Sequence, residues 1–407
     1  MESKSKYWPW KVCIFLLFAT LISYLDRQAF SFAGPAIQKE LHLDNGELGT
    51  LFSAFFLAYG IMHFFIGWFL DRFNIRIVYA AFVSLWSIAQ MITGLPRSFA
   101  GLFASRFSLG IFEASAQPGA ARILSRMFEK KDRPLANGIM MSGGSLGAII
   151  APIVMVFLIN HIGWRSGFII LGSVGILWAM LWLLWFKAPE SVLKGTQGGK
   201  ILMTKEDSWS FILRNSKFWA CTLGALFTIP IIHITGAWLP TYFVQQWHMK
   251  LDVDLAIYLT LIYIGFDLSM IATGFIIRKL CGKGIEPGKA RKYVLIAAAI
   301  CMAFIGFISK SPTPLVAVAF AFLLNIGRAA FGSIFLSFNQ EIASARVGTI
   351  AGIMGGIGAL SGTFFVFLIG VISKSGGFRI PFIIISCLAI AGTIPMLLVN
   401  WDKKYKT

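Results

Sequence analysis

The chain has 407 residues, of which 57% are apolar and only 13% are charged, and its mean hydropathy is +0.75. A soluble domain of this length does not carry such a balance. The formal net charge of +18 is compatible with nucleic-acid binding, but the placement of the basic residues argues against it. The composition predicts an all-α membrane protein whose main surroundings are the lipid bilayer.

Apolar runs of roughly 18–28 residues follow one another along the chain, and each is long enough to cross a bilayer as a helix. The first run is too long for a cleaved signal peptide and contains two charged residues. Twelve transmembrane helices are predicted, at 10–33, 47–70, 76–95, 99–124, 135–160, 167–187, 217–246, 254–277, 293–309, 313–339, 347–372 and 378–400.

Six spans lie on each side of a polar, glycine-rich segment. We therefore predict an N-terminal six-helix half (1–187), a cytoplasmic linker (188–216) and a C-terminal six-helix half (217–407). A layout of two related halves is typical of transporters, whose binding site lies between the repeats near mid-membrane.

The basic residues fall mainly on one side of this topology. With a cytoplasmic N-terminus, 25 Lys and Arg lie on the inner side, 7 on the outer side and 4 within the spans. This is the positive-inside pattern with both termini cytoplasmic, so the charge sets orientation and no nucleic-acid partner is expected. The five cysteines show neither metal-ligand spacing nor a disulfide framework. No metal and no cofactor are predicted.

Charged residues within the spans are the strongest functional signal. They include, across four spans, Asp26, Arg27, Arg106, Glu113, Asp267 and Arg328. Each charge costs about 2.5–3.5 kcal/mol at the centre of a bilayer, so such residues usually face a polar pathway or a partner. The alternative is that they form fixed salt bridges between helices and only stabilise the fold.

The spacing of these residues along a helix indicates which of their side chains lie on the same helix face. Tyr24 and Arg27 share one helix face, while Asp26 points about a quarter-turn away and is free to pair with another helix. Arg106 and Glu113 share a face but are about 10 Å apart along the axis, too far to neutralise each other directly. An arginine can bind a carboxylate bidentately, and an acid screened from water tends to hold a proton.

The segment from Gly67 to Arg76 joins the second and third spans and reads Gly-Trp-Phe-Leu-Asp-Arg-Phe-Asn-Ile-Arg. It resembles the G-x-x-x-D-R-x-x-x-R motif of the major facilitator superfamily. Gly67 permits close helix packing. Asp71 can pair with Arg72 and Arg76 across the inner ends of neighbouring helices. We interpret these four residues as a gate motif; the alternative is a plain basic turn.

Within that superfamily, the chain resembles the anion:cation symporter family, which carries hexuronates, sugar acids, phthalate-like acids, glutamate and phosphate. The resemblance rests on the segments 24–27, 34–37, 106–119 and 238–242. It implies proton-driven uptake of a small organic anion. It also implies that Arg27, Arg106 and Tyr59 contact the substrate, with Tyr24 facing the same cavity. The proton is assigned to Asp26 and Glu113. We expect a monomer in the bacterial inner membrane.

In the second half, the spans with Asp267 and Arg328 correspond by pseudo-symmetry to the second and fourth spans. We hypothesise that Arg328 adds a second positive lobe to the substrate site, with Asp267 as its resting counter-ion. The chain also departs from sugar-acid carriers, because Gly144 stands where they usually have glutamine and the segment 352–359 lacks their asparagine. A ligand with fewer hydroxyl groups, or a more apolar one, is expected.

Two other classes of function stay open from the sequence. An antiporter or exporter of the same fold would need Arg27 and Arg328 but no obligatory proton acid; it would exchange phosphate esters or eject a drug or siderophore. A sensor or a membrane enzyme is disfavoured, because the sequence has no soluble signalling domain, metal cluster, nucleophile motif or phosphate loop. The chain is therefore predicted not to be an enzyme.

Overall fold

A computed structural model describes residues 7–129, 132–186, 208–340, 342 and 347–401 of the chain. Throughout these ranges the regular structure is helical, which agrees with the all-α prediction. Most of the predicted linker, residues 188–207, lies outside the described residues. The chain divides into two compact units. One contains the described residues up to 186 together with 250–256, and the other contains 208–249 and those from 257 onward.

The helices of the first half are α1 (Trp8–Leu41), α2 (Asn45–Arg72), α3 (Ile75–Thr93), α4 (Phe99–Glu113), α5 (Ala116–Met127) and α6 (Arg133–Trp185). Those of the second half are α7 (Trp209–Arg214), α8 (Ser216–Trp247), α9 (Val253–Gly282), α10 (Pro287–Ala303), α11 (Pro314–Gln340), α12 (Val347–Gly376) and α13 (Arg379–Leu398). A 3₁₀-helix, Phe304–Lys310, continues α10.

Ten helical segments of the described part are long and apolar enough to cross a membrane. The structure differs from the twelve predicted spans at two places. The fourth predicted span is divided into α4 and α5, with 15 and 12 residues, and both are shorter than a span needs. The fifth and sixth form one helical run of 53 residues, α6, which kinks at Gly163 with φ 78° and ψ 157°. Glycine adopts this positive φ without the strain that a Cβ would impose. The twelve-span count stays a prediction.

Close contact between helix backbones organises the first half. Helix α1 packs most extensively on α6, and α2 packs on α4. A Cβ at Gly143 of α6 would overlap the carbonyl oxygen of Leu17, and one at Gly147 would lie 2.6 Å from the carbonyl oxygen of Leu21. Small residues let helices approach this closely in a membrane, where packing rather than water exclusion drives association.

The second half is centred on α8, which packs on α12 and α13. Trp238 of α8 donates from Nε1 to the carbonyl oxygen of Val366 at 3.2 Å. After α13, Trp401 stacks on Phe338 of α11 with ring centroids 3.5 Å apart. The buried Lys217 donates from Nζ to the Trp401 carbonyl at 3.3 Å. The C-terminal end of α13 is thereby fixed to the start of α8.

Candidate functional site

Arg27 of α1 and Glu113 of α4 form a direct ion pair inside the first half. The Arg27 Nη2 atom lies 2.8 Å from Glu113 Oε1, and Arg27 Nε lies 3.2 Å from the same oxygen. The Glu113 side chain is fully buried and that of Arg27 is 17% exposed. Charge-assisted hydrogen bonds of this kind are shorter and stronger than neutral ones. The pair joins two of the residues to which the sequence assigned separate roles.

Glu113 lies where the fourth predicted span is interrupted. It is the last residue of α4, and α5 begins at Ala116. Pro118 has no N–H to donate to the carbonyl of Ala114, which favours the break. The C-terminal end of a helix carries partial negative charge, so an ionised Glu113 depends on nearby donors. Ser23 supplies one, its Oγ donating to Glu113 Oε1 at 2.9 Å, and Arg27 supplies the counter-charge.

Aromatic rings surround the Arg27 guanidinium. Its carbon lies 4.7 Å from the ring centre of Tyr59, 5.1 Å from that of Tyr24 and 5.2 Å from that of Phe55. Rings within about 6 Å attract a cation through their negative faces. The Tyr24 hydroxyl accepts a hydrogen bond from Gln117 Nε2 at 3.0 Å. The structure therefore places Tyr24, Arg27 and Tyr59 together, and Glu113 is in contact with them through Arg27.

His63 lies on the same side of α2 as Tyr59. Its ring centre is 4.5 Å from that of Tyr59. The contact agrees with the four-residue spacing of the two rings on one helix. His63 therefore supports the orientation of Tyr59.

Arg106 also lies near Phe55 and is buried, with 2% of its surface exposed. Its guanidinium carbon lies 4.5 Å from the ring centre of Phe30 and 5.0 Å from that of Phe55. Within the described part, Nε and Nη1 of Arg106 have no hydrogen-bond partner. The chain thus has two arginines near one phenylalanine, of which only Arg27 is paired with a carboxylate.

Asp26 is completely buried. Gln90 of α3 donates from Nε2 to the backbone carbonyl of Asp26 at 3.3 Å. Among the described residues, no ion pair within 4.0 Å includes Asp26. The pairing of the Asp26 carboxylate with a group of another helix therefore stays a prediction.

The predicted gate motif lies at the end of α2 and the start of α3. The structure describes no side chain for Gly67 or Asp71, so their part of the motif lies outside the described residues. Arg72 is exposed, with its guanidinium 5.4 Å from the ring centre of Trp68. Arg76 donates from Nη2 to the carbonyl of Leu183 in the last turn of α6. Arg76 thus satisfies a carbonyl that has no partner within its own helix.

In the second half, the predicted pairing of Asp267 with Arg328 is not formed. The Arg328 guanidinium lies 4.7 Å from the ring centre of Phe266, but in the described part of this half no ion pair within 4.0 Å includes Asp267. Phe266 is adjacent to Asp267 in α9 and therefore projects in a different direction. The hypothesis that Asp267 is the resting counter-ion is wrong for this conformation.

Gly144 lies directly against Tyr24. A Cβ at this position would be 2.9–3.1 Å from three ring atoms of Tyr24. The Tyr24 ring thus occupies the space that a longer side chain at position 144 would enter. Position 144, where the sequence analysis predicts a departure from sugar-acid carriers, thus adjoins the group of side chains around Arg27.

Four residues of this site were missed by the sequence analysis: Ser23, Phe55, Gln90 and Gln117. A signal existed for each. Ser23 is four residues before Arg27 and Phe55 four before Tyr59, so each falls on the same helix face as a predicted residue. Gln117 is four residues after Glu113 within the fourth predicted span, which the structure divides between the two residues. Gln90 is a buried amide within an apolar predicted span, where polar side chains are rare and usually have a role.

In comparisons with known proteins, the similar proteins are transporters of one superfamily. The profile of the Major Facilitator Superfamily matches residues 16–366. The hexuronate transporter of Escherichia coli (strain K12) is 26% identical over 98% of this chain and 96% of its own length. The probable L-galactonate transporter of the same strain is 27% identical over 94% and 87%. A bacterial homologue of the human lysosomal transporter Spinster, in an inward-facing, unoccupied crystal structure, has a TM-score of 0.73 at 21% identity over 97% and 94% of the two chains.

Proposed function

This chain belongs to the Major Facilitator Superfamily and is a multi-pass membrane transporter rather than an enzyme, and we propose that it imports a small organic anion together with protons. Transport follows alternating access, as the family resemblance implies. The bacterial inner membrane is the proposed location, because the named relatives are bacterial. Arg27, Tyr24, Tyr59 and Arg106 are the proposed substrate residues of the first half, and Glu113 and Asp26 are the proposed proton sites.

The observation that carries this proposal is the buried ion pair of Arg27 with Glu113. Arg27 cannot give its best bidentate geometry to a substrate carboxylate while it is bonded to Glu113. When the substrate takes Arg27, Glu113 is left as a fully buried carboxylate at a helix C-terminus. A buried charge without its partner is costly, and we propose that a proton then replaces Arg27 as the partner of Glu113. Substrate binding and proton uptake are thereby linked through one arginine.

Sugar acids are the first substrates to test, because the named relatives are transporters of hexuronate and of L-galactonate. Each of these compounds presents a carboxylate that suits Arg27. The contact of Gly144 with the Tyr24 ring leaves no glutamine side chain at that position to bond substrate hydroxyl groups. We therefore propose that less hydroxylated acids of similar size bind at least as well as the sugar acids.

The decisive experiment is uptake of labelled organic acids into proteoliposomes with and without an inward proton gradient. Wild type is expected to accumulate its substrate only with the gradient. Glu113→Gln keeps the shape of the side chain but fixes it in a neutral state. This variant is expected to lose gradient-driven accumulation and to retain counterflow exchange.

A matched control is available in the same half. Glu40 forms an ion pair with Arg165, 2.6 Å apart, in which the Glu40 side chain is 50% exposed. Glu40→Gln makes the same chemical change outside the proposed site and should leave accumulation intact. Uptake that ignores both the gradient and Glu113 would contradict the symporter proposal and favour an exchanger, which needs Arg27 but no proton acid.

A further inference from the structure

Two residues of α1, three positions apart, are each bonded to one residue at the junction of α4 and α5. Arg27 pairs with Glu113, the last residue of α4, at 2.8 Å. Tyr24 accepts a hydrogen bond from Nε2 of Gln117, the second residue of α5, at 3.0 Å. An ionised carboxylate has acceptors only. A substrate anion can therefore replace Glu113 at Arg27, but it cannot replace the amide donor of Gln117 at Tyr24.

The bond from Gln117 determines which role is left to the Tyr24 hydroxyl group. A phenol has one O–H to donate, and its oxygen can also accept a hydrogen bond. The amide of Gln117 uses the oxygen as an acceptor, and no acceptor for the O–H of Tyr24 is found among the described residues. Both side chains are half-buried rather than enclosed. The O–H is therefore available to an anionic oxygen of a ligand.

Packing against α6 holds the ring of Tyr24 in place for such a contact. A Cβ at Gly144 would lie 2.9–3.1 Å from three atoms of the Tyr24 ring, and a Cβ at Gly147 would lie 3.0 Å from the Tyr24 Cβ. The Arg27 guanidinium carbon is 5.1 Å from the ring centre. An anion bonded to Arg27 therefore adjoins a tyrosine whose ring is packed on α6 and whose hydroxyl group is bonded to α5.

We propose that Gln117 is a positioning residue that keeps the Tyr24 hydroxyl group oriented as a hydrogen-bond donor toward the substrate anion. The inference rests on the proposed function and adds to it a residue that acts through Tyr24. Without the amide, the O–H rotates among several directions, and the substrate must order it on binding, which weakens affinity. Because the amide stays bonded with and without substrate, its loss weakens binding but leaves the turnover rate unchanged.

Ultraviolet resonance Raman spectra of the purified full chain test the bond itself, without substrate. The ring bands of a tyrosine differ according to whether its hydroxyl group accepts or donates a hydrogen bond, and the bands that Tyr24→Phe removes belong to Tyr24. Wild type should show an accepting hydroxyl group. Gln117→Met, which has a similar shape but no amide, should lose this signature. Bands of a hydroxyl group that only donates in wild type, or bands that Gln117→Met leaves unchanged, overturn the proposal.

Counterflow exchange of labelled L-galactonate in proteoliposomes tests the effect on binding and needs no proton gradient. In Gln117→Met, KM is expected to rise about fivefold to tenfold with kcat unchanged, as for the loss of one hydrogen bond to substrate. In a Tyr24→Phe background, the same substitution should change KM by less than about twofold, because the hydroxyl group on which Gln117 acts is absent. Equal increases in both backgrounds, or a fall in kcat alone, would contradict a role through Tyr24.

Gln38→Met is the matched control, because Gln38 is a half-buried glutamine of α1 that donates from Nε2 to Asn45 Oδ1 at 2.8 Å. It should keep the wild-type KM and the wild-type bands of Tyr24. If Gln117→Met does not fold, Gln117→Leu removes the same amide and should give the same results.

The two experiments separate this inference from the proposed function. If wild type exchanges L-galactonate but ignores the proton gradient, the symporter proposal fails, while the KM values still test the role of Gln117. If wild type does not exchange L-galactonate, the proposed sugar-acid substrate fails. The Raman bands then decide by themselves whether Gln117 fixes the Tyr24 hydroxyl group.

Discussion

The charged residues within the helices have different partners in the two halves of the chain. In the first half, Arg27 and Glu113 are bonded at 2.8 Å, and aromatic rings surround the arginine. In the second half, Arg328 lies over Phe266, and Asp267 makes no ion pair with it among the described residues. We expect the ion pair of the first half to exchange partners when a substrate carboxylate arrives. The comparison therefore predicts that the switch lies at Arg27.

Glycines differ in how closely they are packed from one position to another. Gly143 and Gly147 of α6 lie against the backbone of α1, where a side chain would collide with it. In α12, a Cβ at Gly352 or Gly355 would meet nothing within 4 Å. The first two positions therefore require a glycine for close packing, while the other two are sterically unconstrained.

The largest effect is expected from Arg27→Ala. Removing one partner of a buried ion pair leaves Glu113 buried without its counter-charge, at a cost of about 3–5 kcal/mol in the free energy of unfolding. Substrate uptake should be lost as well. Thermal unfolding of the purified protein and proteoliposome uptake measure the two effects.

The double variant Arg27→Ala with Glu113→Gln is the control for Arg27→Ala. Neutralising Glu113 should restore much of the stability but none of the uptake, because the anion still lacks its arginine. A double variant that transports like wild type would refute the assignment of Arg27 to the substrate.

Glycine-to-alanine substitutions are expected to change the free energy of unfolding by less than Arg27→Ala does. Gly143→Ala forces a Cβ against the Leu17 carbonyl, and overpacking of this kind costs about 1–3 kcal/mol. Gly355→Ala meets no neighbour and should be neutral or stabilising by up to about 1 kcal/mol, since alanine favours helices. Unfolding temperatures of the two variants, measured in the same detergent, give the difference. If both variants lost the same amount of stability, the proposed difference in packing between Gly143 and Gly355 would be wrong.

The smallest effects are expected in the second half. If Arg328 contacts the substrate anion, Arg328→Ala should lose about 1.5 kcal/mol of binding and raise KM roughly tenfold without abolishing uptake. Asp267→Asn should change neither KM nor the free energy of unfolding by more than about 0.5 kcal/mol, because no ion pair is broken. Normal transport by Arg328→Ala together with poor expression would show that Arg328 is structural.

Much of the site was predictable because the direction of a side chain on a helix depends only on its spacing from nearby residues in the sequence. The three-residue spacing of Tyr24 and Arg27 predicts both on one side of α1, and the Arg27 guanidinium carbon lies 5.1 Å from the ring centre of Tyr24. The seven-residue spacing of Arg106 and Glu113 excluded a direct pair, and none is formed. The superfamily assignment is confirmed by the profile match. The assignment of individual residues to substrate or proton stays a prediction.

The sequence by itself determined that the chain is helical and membrane-spanning and which charged residues lie within its apolar segments, and it predicted by the positive-inside rule which side the basic loops face. These properties follow from composition and local spacing. Only the tertiary structure decided the partners. Glu113 pairs with Arg27, 86 positions away, and Gln90 contacts Asp26, 64 positions away. Asp267 does not pair with Arg328. Such contacts depend on how helices rotate and approach each other, which is set by packing at positions such as Gly143 and not by the spacing within any one helix.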